Sequence, residues 1–294
     1  MSVKLNSDDA VWTGARQTMA SWTRVLASYE EVPDIYKGFF ENGMTPYTLL
    51  LPPIMKPHGR TTEKLVYDSH GAIHILERSG DQVAAKSYPY PSVRMMESGC
   101  ILLDSWLTIR GVTGTGETSA STIDFNTASA RHFATFMEKL RPASPGVDAS
   151  QASAEKDKFN YLSSLHFKFM NYGRSSLVGG ERVRQIIFQP EMREPVWAML
   201  GDMFQKTVTP AHLTILTDRE LILIQDVPSA KKTQKTNYGG IWQYIRLDSI
   251  GSVTWTETDG RLTLSVAVSP EGKIEKIFAV SSQAEVERLC AGFR

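Results

Sequence analysis

Cysteine is nearly absent: Cys100 and Cys290 are the only two in 294 residues. Two thiols so far apart, each in an apolar run, give neither a disulfide framework nor a zinc-ligand spacing. They read as buried free thiols in a reducing compartment. Net charge is absent as well, with 32 basic and 32 acidic residues. A general nucleic-acid binder carries a basic excess that displaces counterions from phosphates, so that class is excluded. General adhesion to an anionic membrane is excluded on the same ground, and any membrane contact is peripheral at most. No run approaches the ~18 uncharged apolar residues of a membrane-spanning helix. Residues Met1–Ala10 are polar, without the apolar core of a signal peptide. The expectation is a cytoplasmic protein.

Catalytic signatures are missing too. The sequence has no Gly-x-Ser-x-Gly elbow and no His-Glu-x-x-His pair. Gly111–Thr118 has the spacing of a phosphate-binding loop, but Glu117 stands where a lysine must neutralise phosphate. The Ser- and Thr-rich residues that follow read as strand, so no helix N-terminus would face an anion. Ser229 and Lys232 match a Ser-x-x-Lys pattern inside a polar run that forms no buried helix. The histidines, His58, His70, His74, His132, His166 and His212, lie at no metal-ligand spacing with other donors. The chain is therefore expected to hold no metal or cofactor and not to be an enzyme.

Apolar residues make up 41% and charged residues 22%, an ordinary globular balance, and the length suits about two domains. Trp12, Ala15, Met19, Trp22, Leu26 and Tyr29 recur at helical spacing, with a shorter helix expected over 34–40. From Pro46 the period becomes two. Strands are expected near 47–51, 63–69, 72–78, 82–87, 91–97, 100–110 and 118–125, with turns at Ser69-His70-Gly71, Ser79-Gly80-Asp81 and Ser98-Gly99. A helix capped by Asn126 or Thr127 carries Phe133, Phe136, Met137 and Leu140. Residues 143–158, rich in Ala, Ser, Pro and Gly, read as a linker between domains at 1–142 and 159–294.

The second half repeats this plan. A helical face at Phe159, Leu162, Leu165, His166 and Phe169 precedes strands near 183–189, 212–217, 221–226, 242–247, 250–256, 261–268 and 273–280. A closing helix runs from about Gln283 to Phe293. Its Val286, Leu289, Cys290 and Phe293 repeat the spacing of Phe133, Phe136, Met137 and Leu140. One insertion differs: Glu194-Pro195 opens a predicted helix with Val196, Trp197, Leu200 and Phe204, expected to cover the rim of its own domain. The expected core includes Ile73, Ile75, Leu103, Phe133, Phe136, Leu221, Leu223, Ile250, Leu264 and Leu289.

Gly180-Glu181-Arg182-Val183, Leu216–Ile224, Ile245–Val253 and Met96–Leu103, together with the two closing helices, resemble the bacterial pleckstrin-homology-like (PH-like) family in tandem. That resemblance implies two seven-stranded antiparallel barrels, each closed by a C-terminal helix, in an α+β chain that is mainly β. It also implies binding or assembly: a protein partner or self-association. Two basic loops offer an alternative, an anionic small molecule or lipid headgroup. One carries Lys56, His58, Arg60 and Lys64, where PH domains hold inositol phosphates; the other carries Lys231, Lys232 and Lys235. The N-terminal aromatics Trp12, Trp22, Phe39 and Phe40 are expected to fold onto the first domain, with an interface role as the sharper reading.

Overall fold

The computed structural model describes residues 22–40, 47–56, 59–141, 149–195, 205–227, 239–269 and 272–293. The chain is mainly β with some helix. By contact it divides into two units. The first comprises residues up to Val93 and Ser98–Leu140; the second comprises Arg94–Glu97 and Arg141 onward.

The first unit contains β1 (Arg24–Leu26), α1 (Asp34–Lys37), β2 (Thr48–Leu51), β3 (Met55–Lys56), β4 (Gly59–Arg60), β5 (Glu63–Ser69), β6 (Ala72–Ser79) and β7 (Gln82–Pro89). It continues through the end of β8 (Val93–Ile101), β9 (Asp104–Val112), β10 (Thr118–Asn126) and α2 (Ala134–Leu140). One antiparallel sheet has the order β1-β2-β5-β6-β7. The β5–β6 loop is two residues, His70 and Gly71, both at positive φ, as a hairpin of matching twist requires. One face of this sheet buries Leu50, Leu65, Tyr67 and Leu76 under Leu26, Val32 and Tyr36 of the N-terminal segment. Alternate positions Leu49, Leu51, Val66, Ile73 and Ile75 are buried on the other face. The side chain of Asn126 accepts from the amide of Ala128 at 2.9 Å and starts the turn that leads into α2. Phe133 and Phe136 there are fully buried.

Several local expectations are corrected. Residues 24–26 are a strand on β2, not the end of a helix; burying Leu26 at the sheet edge outweighs the helical spacing. Trp12, Ala15 and Met19 lie outside the described residues. Ser98-Gly99 is no turn: Gly99 sits within β8, where an added Cβ would stand 2.0 Å from the Trp106 ring. The turn is at Leu102, with φ 54°, so Leu103 is 44% exposed rather than core. Gly99→Ala should accordingly cost about 1–3 kcal/mol of stability, through overpacking against Trp106, in a urea titration.

The second unit, besides Arg94–Glu97, runs from Arg141 onward. It contains α3 (Ala149–Asp157), α4 (Phe167–Ser176), β11 (Val183–Gln189), β12 (Met192–Pro195), β13 (Gln205–Thr209), β14 (His212–Thr217), β15 (Glu220–Gln225) and β16 (Gly240–Arg246). β17 (Ile250–Thr258), β18 (Arg261–Val268), β19 (Gly272–Ala279) and α5 (Gln283–Ala291) complete it. α3 falls in the stretch read as a linker: an Ala-rich stretch is a good helix former, and Glu155 accepts from the amide of Val183 of β11 at 2.6 Å. The tetrapeptide Arg94–Glu97 lies beside β16, then β15, β14 and β11 follow. A separate sheet has the order β17-β18-β19. Leu221, Leu223 and Ile245 from one sheet, Leu262, Leu264 and Phe278 from the other, and Val286, Leu289 and Cys290 from α5 form one core. Ile250 packs half-buried against it, and Cys100 is only half-buried.

The sheets are open. β16 and β17 are separated by a corner at Leu247–Ser249, and no ladder pairs them. Glu194 and Pro195 belong to β12, paired with Lys206 and Gln205, and do not open a helix. Strand pairing with β13 outweighs the preference of proline for a first helical turn. Residues 196–204, with Trp197, Leu200 and Phe204, lie outside the described residues.

Candidate functional site

In the first unit, two of the basic residues singled out by the sequence are ion-paired. Lys56 forms an ion pair with Asp124 of β10. Lys64 pairs with Glu77 at 2.9 Å and reaches the Thr62 hydroxyl. Arg60 is exposed on the β3–β4 hairpin. Two of the three cations are thus committed to carboxylates on neighbouring strands, which lowers the positive potential open to a ligand. His58, Lys231, Lys232 and Lys235 lie outside the described residues. Gly111–Thr118 is a hairpin end, with the amide of Thr113 donating to the carbonyl of Glu117 at 2.8 Å.

The most perturbed titratable groups of the second unit are internal. The Arg141 guanidinium donates through Nε and Nη2 to one carboxylate oxygen of Glu220 at 2.9 and 2.6 Å, through Nη1 to the carbonyl of Ser176 at 2.7 Å, and through Nη2 to Glu181 at 3.2 Å. It lies 4.0 Å from the ring centre of Tyr244. Burial pushes the Glu181 carboxyl up to about 7, opposed by Arg141 and reinforced by the Glu220 charge. With all three side chains at least nine-tenths buried, this cluster is a structural clamp without access for substrate. Among the described residues no His, Cys, Asp and Glu group has the geometry to hold a metal, and no helix is long and apolar enough to cross a membrane.

The feature that faces outward is β17. It pairs with β18 along its length, from Ile250↔Val268 to Thr258↔Arg261, and among the described residues no strand pairs with its other edge. Sheet edges are usually guarded by lysine, proline or charge, because unpaired N–H and C=O groups recruit foreign strands. The opposite edge of the same sheet, β19, carries Lys273, Glu275 and Lys276. β17 reads Ile-Gly-Ser-Val-Thr-Trp-Thr-Glu-Thr and holds neither lysine nor proline, its one charge falling at Glu257 near the end. Val253 and Trp255 turn inward against the core, while Ser252, Thr254 and Thr256 are exposed.

Helix α5 runs beside this edge. Its Val286, Leu289 and Cys290 anchor it in the core. Glu287 and Ala291 border a groove of about 400 Å³ whose other wall is Val253, Thr254 and Trp255. Glu287 accepts a hydrogen bond from Gln283 at 2.9 Å and, among the described residues, supplies the only charged group lining the groove. An open ladder edge, a groove of mixed polar and apolar lining next to it and one carboxylate are elements that strand addition uses. The sequence marked β17 and α5 as elements; it carried no signal for which edge stays open, because pairing partners are set by topology.

No protein-family model matches the chain, and no curated protein matches it.

Proposed function

We propose that this chain is a non-enzymatic binding protein of two PH-like modules, and that the second captures an extended segment of a protein partner along β17. The modular part of this reading rests on element order. β2, β5, β6 and β7, then β8, β9 and β10, then α2 recur as β11, β14, β15 and β16, then β17, β18 and β19, then α5. Each series has a two-stranded excursion after its first strand, β3–β4 and β12–β13. The binding part rests on the β17 edge, which holds neither lysine nor proline and has no strand paired to it among the described residues.

The partner follows from the chemistry of the groove. Backbone groups of the added strand pair with β17; nine residues at about 3.3 Å each offer roughly 30 Å of edge. Alternate side chains of the partner meet either solvent or the slot between Trp255 and Ala291, so an apolar residue is favoured there. A lysine or arginine on the partner complements Glu287. The test is selection from a displayed peptide library against the full chain. Recovered peptides should be extended, with an apolar residue next to a basic one. Ala291→Arg, which fills the slot, should weaken them about tenfold or more, and Glu287→Lys should reverse the charge preference. Recovery of no peptide, or of peptides indifferent to both changes, would overturn the reading. Concentration-dependent mass in light scattering, abolished by Ala291→Arg, would instead make a second copy the occupant.

A further inference from the structure

An aromatic run on one sheet face of the first unit stops one ring short. Phe40 packs on Tyr67 with ring centroids 4.7 Å apart, and Tyr67 stacks on His74 at 4.5 Å with only 7° between the planes. Tyr67 and His74 are opposite one another on β5 and β6, and the next residue of that row, on β7, is Ser87. Its neighbour on the same face is Ala85, opposite Leu76. The imidazole therefore has one face on Tyr67 and turns the other toward two small side chains, where a further ring would continue the stack.

The hairpin end at Thr113–Glu117 walls this notch. The amide of Gly114 donates to the carbonyl of Ser87 at 2.9 Å and fixes the loop over it. The half-open cleft measures about 440 Å³. Its polar lining residues include Ser87, Thr115, Glu117 and Lys86. The Lys86 ammonium is held by the Ser119 hydroxyl at 2.9 Å and the Ala120 carbonyl at 3.4 Å. His74 donates from Nε2 to the carbonyl of Ser69 at 3.2 Å, and burial lowers its pKa, which disfavours the charged ring. Among the described lining residues Lys86 is the single ammonium, directed at β10 and not gathered with a second cation as a phosphate site needs, while a flat ring face and a carboxylate are on offer.

We infer that this cleft binds a planar, amino-bearing nitrogen heterocycle of nucleobase size, without phosphate, stacked on His74 and donating its ring-edge N–H groups to Glu117 and the neighbouring hydroxyls. The hairpin whose spacing imitates a phosphate loop is, on this reading, the wall of a base-sized slot.

The experiment is titration of the full-length chain with adenine, followed by amide chemical shifts. Shifts should concentrate at residues 113–117 and 85–87. Ser87→Phe, which supplies the missing ring, should abolish them. Glu117→Gln, on an exposed turn where folding is not at stake, should weaken binding about tenfold by removing a charge-assisted acceptor. Adenosine monophosphate should bind no more tightly than adenine. Absence of shifts at millimolar adenine, equal binding by the Glu117→Gln chain, or a large gain from the phosphate would each overturn the inference.

Discussion

Arg141→Ala should destabilise the second unit by about 3–5 kcal/mol, because it leaves two buried carboxylates without their counter-ion. The side chains of Glu181 and Glu220 are 0% and 2% exposed, so water cannot replace the guanidinium. Other bonds remain: Glu181 still accepts from the amide of Val178 at 2.8 Å and the Thr217 hydroxyl at 3.2 Å. They satisfy oxygens but carry no positive charge. Arg141→Lys should recover part of the loss, since an ammonium keeps the charge but lacks the planar fork that reaches Glu220 twice and Ser176 once. Urea titration followed by tryptophan fluorescence reads the effect. A cost below about 1 kcal/mol for the alanine variant would mean that the clamp is not structural.

The second large effect is its pH dependence. Two carboxylates share one guanidinium, so with both ionised the cluster holds a net negative charge in an apolar setting. Glu181 has its carboxyl pushed from 4.5 up to about 7 by burial. The folded state then binds more protons than the unfolded state between those values. Stability falls as pH rises through that window and is flat above it, a loss of about 3 kcal/mol. His212 acts in the opposite sense. Burial lowers its pKa from 6.5 to about 4, the unfolded state binds the extra proton, and stability rises with pH across that window. The two slopes offset one another in the native chain. Glu181→Gln separates them. The variant should match the native chain near pH 4.5, where Glu181 is already protonated, and exceed it by about 3 kcal/mol at pH 8. A pH-independent difference between the two chains would show that burial does not raise the Glu181 carboxyl.

Much of this architecture was legible in residue patterns, and the gaps have physical causes. The boundaries of β11, β14 and β18 follow from β-branched and aliphatic runs between turn residues. The closing helices follow from apolar spacing, and Phe133, Phe136 and Leu289 are buried as that spacing requires. Residues 24–26 were illegible as a strand because their partner, β2, lies more than twenty positions away and only that pairing fixes them. Gly99 looked like a turn residue because a glycine that yields to the Trp106 ring and one that bends the chain have the same letter. The carboxylate partners of Lys56 and Lys64 were not legible, because Asp124 is 68 positions from Lys56 and only the hairpin register sets Glu77 opposite Lys64. The same holds for the open edge of β17: an unguarded sequence is readable, but the absence of a neighbour is a property of the fold.

Amide hydrogen exchange along Ile250–Thr258, with and without a selected peptide, tests strand addition most directly. In the free chain the amides that donate to β18 should be protected and the intervening ones should exchange freely, in alternation along the strand. With peptide bound, the intervening amides should become protected while those facing β18 change little. Peptide that binds fully yet leaves the alternation of β17 unchanged would contradict the account, because binding would then occur elsewhere or without a shared ladder.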